Sequence, residues 1–381
     1  MNEHDDDRFD EVPSVIPMSE AVPTVRAAPI TPPRPGFWGA LLWCLAFVAV
    51  MVVSAGIVIT IDLVVEINSQ PDRNAFMEKV LDLGPNNDQL HPAMAHALRW
   101  GMFAAELTTI LFGLIILRFV VGREWKRKIA FAPPTLEHAA LAVMCVPAFI
   151  IVSGLVGYAI QSGFEALLPV PQEEVPLEKI LAQIFDSWPT WMAVLVIGVG
   201  PGIGEELWCR GFLGRGLVGR YGVVAGVIAT SFFFGAMHGP SIPYIMVTFF
   251  MGACLHLIYL ATRSIFVSMF VHFANNSIAT MLAMKSLDLP FLNADTAVPP
   301  LPIVFSAVGL FIACGYAFWL GRARLVDSDE PLPVWRPYHA GVELPPAESR
   351  TVVERPSVMG LPMGMVVLMF GAFVLSCVFA G

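Results

Sequence analysis

The 381-residue sequence is 56% hydrophobic and only 14% charged, with a mean hydropathy of +0.69, a composition outside the range of soluble domains and one that takes lipid as its solvent. A formal net charge of −9 argues against a nucleic-acid partner, because phosphate binding needs a concentrated basic face that the chain lacks. Six cysteines, all within apolar stretches and without a CxxC pair or a loop framework, read as small packing residues rather than a disulfide scaffold.

Residues 1–36 are acidic and Pro-rich and are expected to form a disordered cytosolic tail with no cleavable signal. Apolar runs long enough to cross a bilayer then recur near 37–62, 96–121, 138–163, 189–209, 222–238, 243–261, 264–284, 299–321 and 357–380. The fold class is therefore an all-α, polytopic transmembrane bundle of eight or nine spans. Its organisation reads as N-terminal spans and a loop over 37–187, a catalytic core over 188–284, and C-terminal spans with a linker over 285–381. The longest connections, near 164–188 and 325–356, are Pro-rich and are expected to be solvated linkers. Arg26 and Arg34, the cluster Arg123, Lys126, Arg127 and Lys128, then Arg215, Arg220, Arg263, Arg322 and Arg324 all fall on one face of the bilayer, which places the N-terminus in the cytosol.

Ionisable groups inside a span are costly, and each needs a partner or a purpose. At the end of the fourth span, Glu205 and Glu206 follow Pro201, Gly202, Ile203 and Gly204. Glu206 and Arg210 stand four residues apart and can neutralise each other, whereas Glu205, about 100° around the helix, has no intrahelical cation. The fifth span ends at His238, one turn after Phe234. A hairpin turning near Gly219, Arg220, Tyr221 and Gly222 would bring Glu205 and His238, almost equally far from the turn, to the same depth. In the seventh span His272 and Asn276 share a helical face. These groups supply the parts for peptide hydrolysis: Glu205 as a desolvated base, His238 to orient water or share its proton, and His272 and Asn276 to donate to an oxyanion. Phe234 reads as packing below His238, Asn275 as facing away from the partners of Asn276, and Cys209 as helix packing. His256, isolated in the sixth span, and His91, His96 and His138 read as structural.

The pattern Glu-Glu-x-x-x-Arg, Phe-x-x-x-His and His-x-x-x-Asn, in that order on successive membrane helices, resembles the three motifs of the CAAX-protease and bacteriocin-processing family of intramembrane glutamic endopeptidases. The match spans roughly 189–284. It implies a catalytic set of Glu205, His238, His272 and Asn276, with Glu206, Arg210 and Phe234 in support. The implied substrate is a peptide or a lipidated or membrane-anchored protein, met among membrane lipids in what is read as a bacterial plasma membrane.

No cofactor is expected. Glu205, His238 and His272 could in principle bind zinc and leave a position open for water, but HExxH spacing is lacking and the ligands would come from three helices, so a metal-free reaction is favoured. A transporter would predict repeat symmetry that the sequence does not show, and a non-catalytic scaffold would predict damaged motifs. Oligomeric state is not readable from the sequence.

Overall fold

The computed structural model describes residues 34–81, 90–167, 183–184, 188–239, 241–287, 289, 298–327, 336–337 and 351–380. The acidic N-terminal tail and most of the loop near 164–188 lie outside these residues. The apolar runs fold as helices because each satisfies its backbone hydrogen bonds internally, which lipid cannot do for it. In chain order they are α1 (Phe37–Ser69), the short α2 (Arg73–Leu81), α3 (Pro92–Ile116, continued by a π-helical turn Leu117–Val121), the short α4 (Trp125–Lys128), α5 (Leu136–Leu167), α6 (Thr190–Ala236), α7 (Ile242–Thr262), α8 (Ile265–Ala283) and α9 (Leu301–Leu320); α10 (Leu361–Ala380) comes last.

Among the described residues eight helices are long and apolar enough to cross a membrane, and the chain is an integral membrane protein. The expected fourth and fifth spans are the two arms of α6, 190–221 and 223–236. The break is Gly222, with φ +81° and ψ 173°, a conformation that only glycine adopts without strain. The chain reverses there, and Gly226 comes so close to the Val218 backbone that a Cβ would collide with it.

The two larger apolar cores among the described residues hold most of the bundle. One gathers Trp208 and Phe212 of α6 with Phe47 of α1, whose ring stacks on Trp208 at 4.7 Å between centroids. The other joins α5, α7, α8, α9 and α10. Because lipid tails are as apolar as leucine, close van der Waals contact rather than water exclusion drives this packing. Small residues make it possible: a Cβ on Gly202 would sit 3.1–3.2 Å from Phe273 of α8, backbone atoms included.

The region expected to be a linker differs from that reading. β1 (Arg324–Asp327) pairs antiparallel with both β2 (Arg336–Pro337) and β3 (Thr351–Glu354), in register Leu325 to Arg336 and Leu325 to Val353. Just beyond β3, Arg355 donates to the Thr262 and Arg263 carbonyls, and Glu137 accepts from Ser357 Oγ at 2.8 Å and from the Val358 amide at 2.6 Å. Arg263, read from the sequence as a basic residue in a short cytosolic-face loop, is 1% exposed: it takes a left-handed conformation (φ 53°) in the tight turn from α7 to α8, where Arg355 donates to its carbonyl.

Candidate active site

The first arm of α6 is irregular because of its sequence. Pro201 has no amide hydrogen, so the carbonyl of Ile197, four residues earlier, loses its ordinary helical donor. The helix widens into π-helical pairing over Val194–Val199, ending with the Gly200 amide donating to the Leu195 carbonyl, and again over Leu207–Gly214. Glu205 and Glu206 stand in the short α-helical piece between, Gly200–Glu206. Such widened turns recur at functional sites because they re-aim side chains out of the regular helical order.

Glu206 is fully buried. One of its oxygens, Oε1, accepts both from Arg210 Nη1 at 2.6 Å and from His272 Nδ1 at 2.9 Å. Arg210, itself 1% exposed, also donates to the Gly252 carbonyl of α7 at 2.8 Å and lies 4.9 Å from the Phe234 ring centre. A buried pair with further hydrogen bonds on each member is the arrangement that offsets the cost of desolvating two charges. The pair ties α6, α7 and α8 together and fixes the ring of His272.

Glu205 has a different setting. Its Oε2 is buried without a hydrogen-bond partner among the described residues, although the side chain is 21% exposed overall. It lies 3.7 Å from His238 Nε2 and 3.9 Å from His272 Nε2. Both separations are too long for direct hydrogen bonds and suit a bridging water. Each imidazole presents Nε2 because its Nδ1 is engaged elsewhere: that of His238 with the Phe234 carbonyl at 2.6 Å, that of His272 with Glu206. Phe234 packs beneath both rings, with centroid separations of 4.6 and 5.9 Å.

The structure thus brings together Glu205, His238 and His272, with Glu206, Arg210 and Phe234 around them. Asn276 lies one turn from His272 but spends one amide hydrogen on the Ile197 carbonyl at 3.2 Å, the group orphaned by Pro201. Asn275, expected to face away, instead donates to Asn276 Oδ1 at 3.1 Å and is buried. His256 is fully buried against Gly214, and neither ring nitrogen has a hydrogen-bond partner among the described residues.

Glu106 of α3, outside the three sequence motifs, also borders the site. It packs over Gly200, where a Cβ would lie 2.8–2.9 Å from its side chain, and its carboxylate stands within electrostatic range of Glu205. The signal was available: a single carboxylate in an otherwise apolar run is a functional candidate by its cost alone. Among the described residues no group of three or more His, Cys, Asp or Glu side chains is arranged to hold a metal ion.

Residues 187–278 match the family model for type II CAAX prenyl endopeptidases, Rce1-like. The chain carries an Rce1-like domain. This is consistent with the CAAX-protease and bacteriocin-processing family, and the domain contains both arms of α6, all of α7 and most of α8. No curated protein and no solved structure matches the chain. Every site residue above except Glu106 falls inside the Rce1-like domain, whereas α1–α5, α9 and α10 lie outside it.

Proposed function

We propose that the chain is an intramembrane endopeptidase in which Glu205 activates water against a peptide carbonyl. The observation that carries this reading is the buried Glu205 Oε2, without a hydrogen-bond partner among the described residues, facing two imidazole nitrogens at 3.7 and 3.9 Å. A water among these three atoms gives one proton to Glu205 while its other hydrogen is held by His238 Nε2. The resulting hydroxide forms the new C–O bond, and the carbonyl electron pair moves onto oxygen. That oxyanion accepts from Nε2–H of His272, whose Nδ1–H is held by Glu206, and from the second amide hydrogen of Asn276. Glu205 then returns its proton to the amide nitrogen as the C–N bond breaks, leaving a carboxylic acid, whose remaining water hydrogen passes to the released amine to give a carboxylate and an ammonium. General-base catalysis of this kind contributes roughly 10²- to 10⁴-fold, and each oxyanion donor roughly 10²- to 10³-fold.

The proposed substrate is a membrane-associated polypeptide cut near its terminus, and the proposed setting is a bacterial plasma membrane with the N-terminus in the cytosol. The test compares the membrane proteomes of cells carrying wild type, Glu205→Gln or His238→Ala, followed by cleavage assays on the fragment that disappears. Loss of that fragment in both variants is expected. Equal processing in all three would end the assignment. Activity lost on chelation and restored by zinc would return the metal to the mechanism.

A further inference from the structure

A groove of about 440 Å³ runs between α3, the first arm of α6 and α8, and every side chain lining it is apolar or aromatic. Ile110 and Leu114 form one wall, Ile203 and Leu207 the second, Met269 and Phe273 the third. It is not an extension of the active site. Ile203 and Leu207 each stand two residues from Glu205, about 200° around the helix, so the groove occupies the face opposite the carboxylate.

One end of the groove is closed by Trp125 and Phe131, their rings 5.5 Å apart. Over both of them, at 5.8 and 5.9 Å, lies the Lys126 ammonium. Arg123, three residues earlier, is exposed, and neither cation has a carboxylate partner among the described residues, whereas neighbouring Arg127 is paired with Glu124. These residues follow the end of the α3 span, where the bilayer gives way to water. An apolar trough with one cation over the rings at its interfacial end, and a second exposed cation three residues earlier in the chain, matches a molecule that has a long hydrocarbon chain and an anionic head.

We propose that this groove binds one anionic phospholipid, with an acyl chain between α3, α6 and α8 and the phosphate at Arg123 and Lys126. The site is separate from the proteolytic reading and does not rest on it.

Native mass spectrometry tests the idea on the full chain released from micelles containing equal amounts of phosphatidylglycerol and phosphatidylcholine. Wild type is expected to retain one phosphatidylglycerol with a preference of roughly 30-fold, the attraction of two interfacial cations. Arg123→Glu with Lys126→Glu changes two exposed positions and removes that preference, while Met269→Trp fills the trough and reduces retention of both lipids. Equal retention of the two lipids by wild type overturns the proposal, as does a preference that survives the double charge reversal. Displacement by an uncharged isoprenoid alcohol as readily as by phosphatidylglycerol would also overturn it, because the groove would then be reading chain alone.

Discussion

Adjacent glutamates with opposite roles predict opposite responses to the same substitution. In Glu206→Gln the neutral amide still reaches Arg210 and His272, but it leaves a guanidinium that is 1% exposed without its counter-charge. Breaking a buried pair in this way costs about 3–5 kcal/mol, and Nδ1 of His272 loses the carboxylate that orients its ring. Glu205→Gln disturbs nothing of that kind, because Oε2 makes no hydrogen bond among the described residues and the side chain is part-exposed. Its stability is expected to stay within about 0.5 kcal/mol of wild type, while cleavage falls by about 10²-fold or more. Unfolding is measurable in detergent with a thiol-reactive fluorophore, since Cys44, Cys145, Cys209 and Cys314 are free and buried and become reactive when the bundle opens. The expected pattern is a stable but inactive Glu205→Gln and an unstable Glu206→Gln. If the two variants unfold alike, or Glu205→Gln is the weaker fold, the division of labour between them is wrong.

Gly202→Ala is expected to lose up to about 2 kcal/mol of stability, because overpacking of about 1–3 kcal/mol against Phe273 exceeds a helix-propensity gain of about 1 kcal/mol. Cleavage should fall with it, as Phe273 follows His272, and thiol exposure together with turnover checks both. Asn276→Leu is expected to cost about 1 kcal/mol less in a Pro201→Ala background than in wild type, since alanine restores a backbone donor near the Ile197 carbonyl; additivity in this double-mutant cycle would refute the link. Chelators are expected to leave cleavage intact, measured on the processed substrate with and without added zinc.

The hairpin was legible because its evidence is local: glycines at 219 and 222 between two apolar runs, with acid and imidazole almost equally spaced from the turn. Glu206 with Arg210 was legible for the same reason, as an i, i+4 pair on one helix. What depended on distant chain was not. That the partner of Glu206 includes His272, 66 residues away, follows from α8 closing on Gly202, and no pattern within either helix announces it. The sheet of β1, β2 and β3 was hidden in Pro-rich sequence without clear alternation, since its short strands gain their order from pairing with one another. The burial of Arg263 depends on a turn conformation that composition does not encode.

Pro201 connects these scales. Inside a membrane an unpaired carbonyl costs several kcal/mol, so a proline in a span requires a donor from elsewhere. Asn276 supplies that donor from α8, and the glycine at 202 lets α8 come near enough to do so. The same approach carries His272 against Glu206, which in turn points Nε2 at Glu205. A helix of regular geometry with larger side chains at these positions would satisfy its own backbone and hold α8 at a greater distance. The defect in α6 is thus what assembles the acid and the imidazole from separate helices, and repairing it should stabilise the helix while taking the site apart.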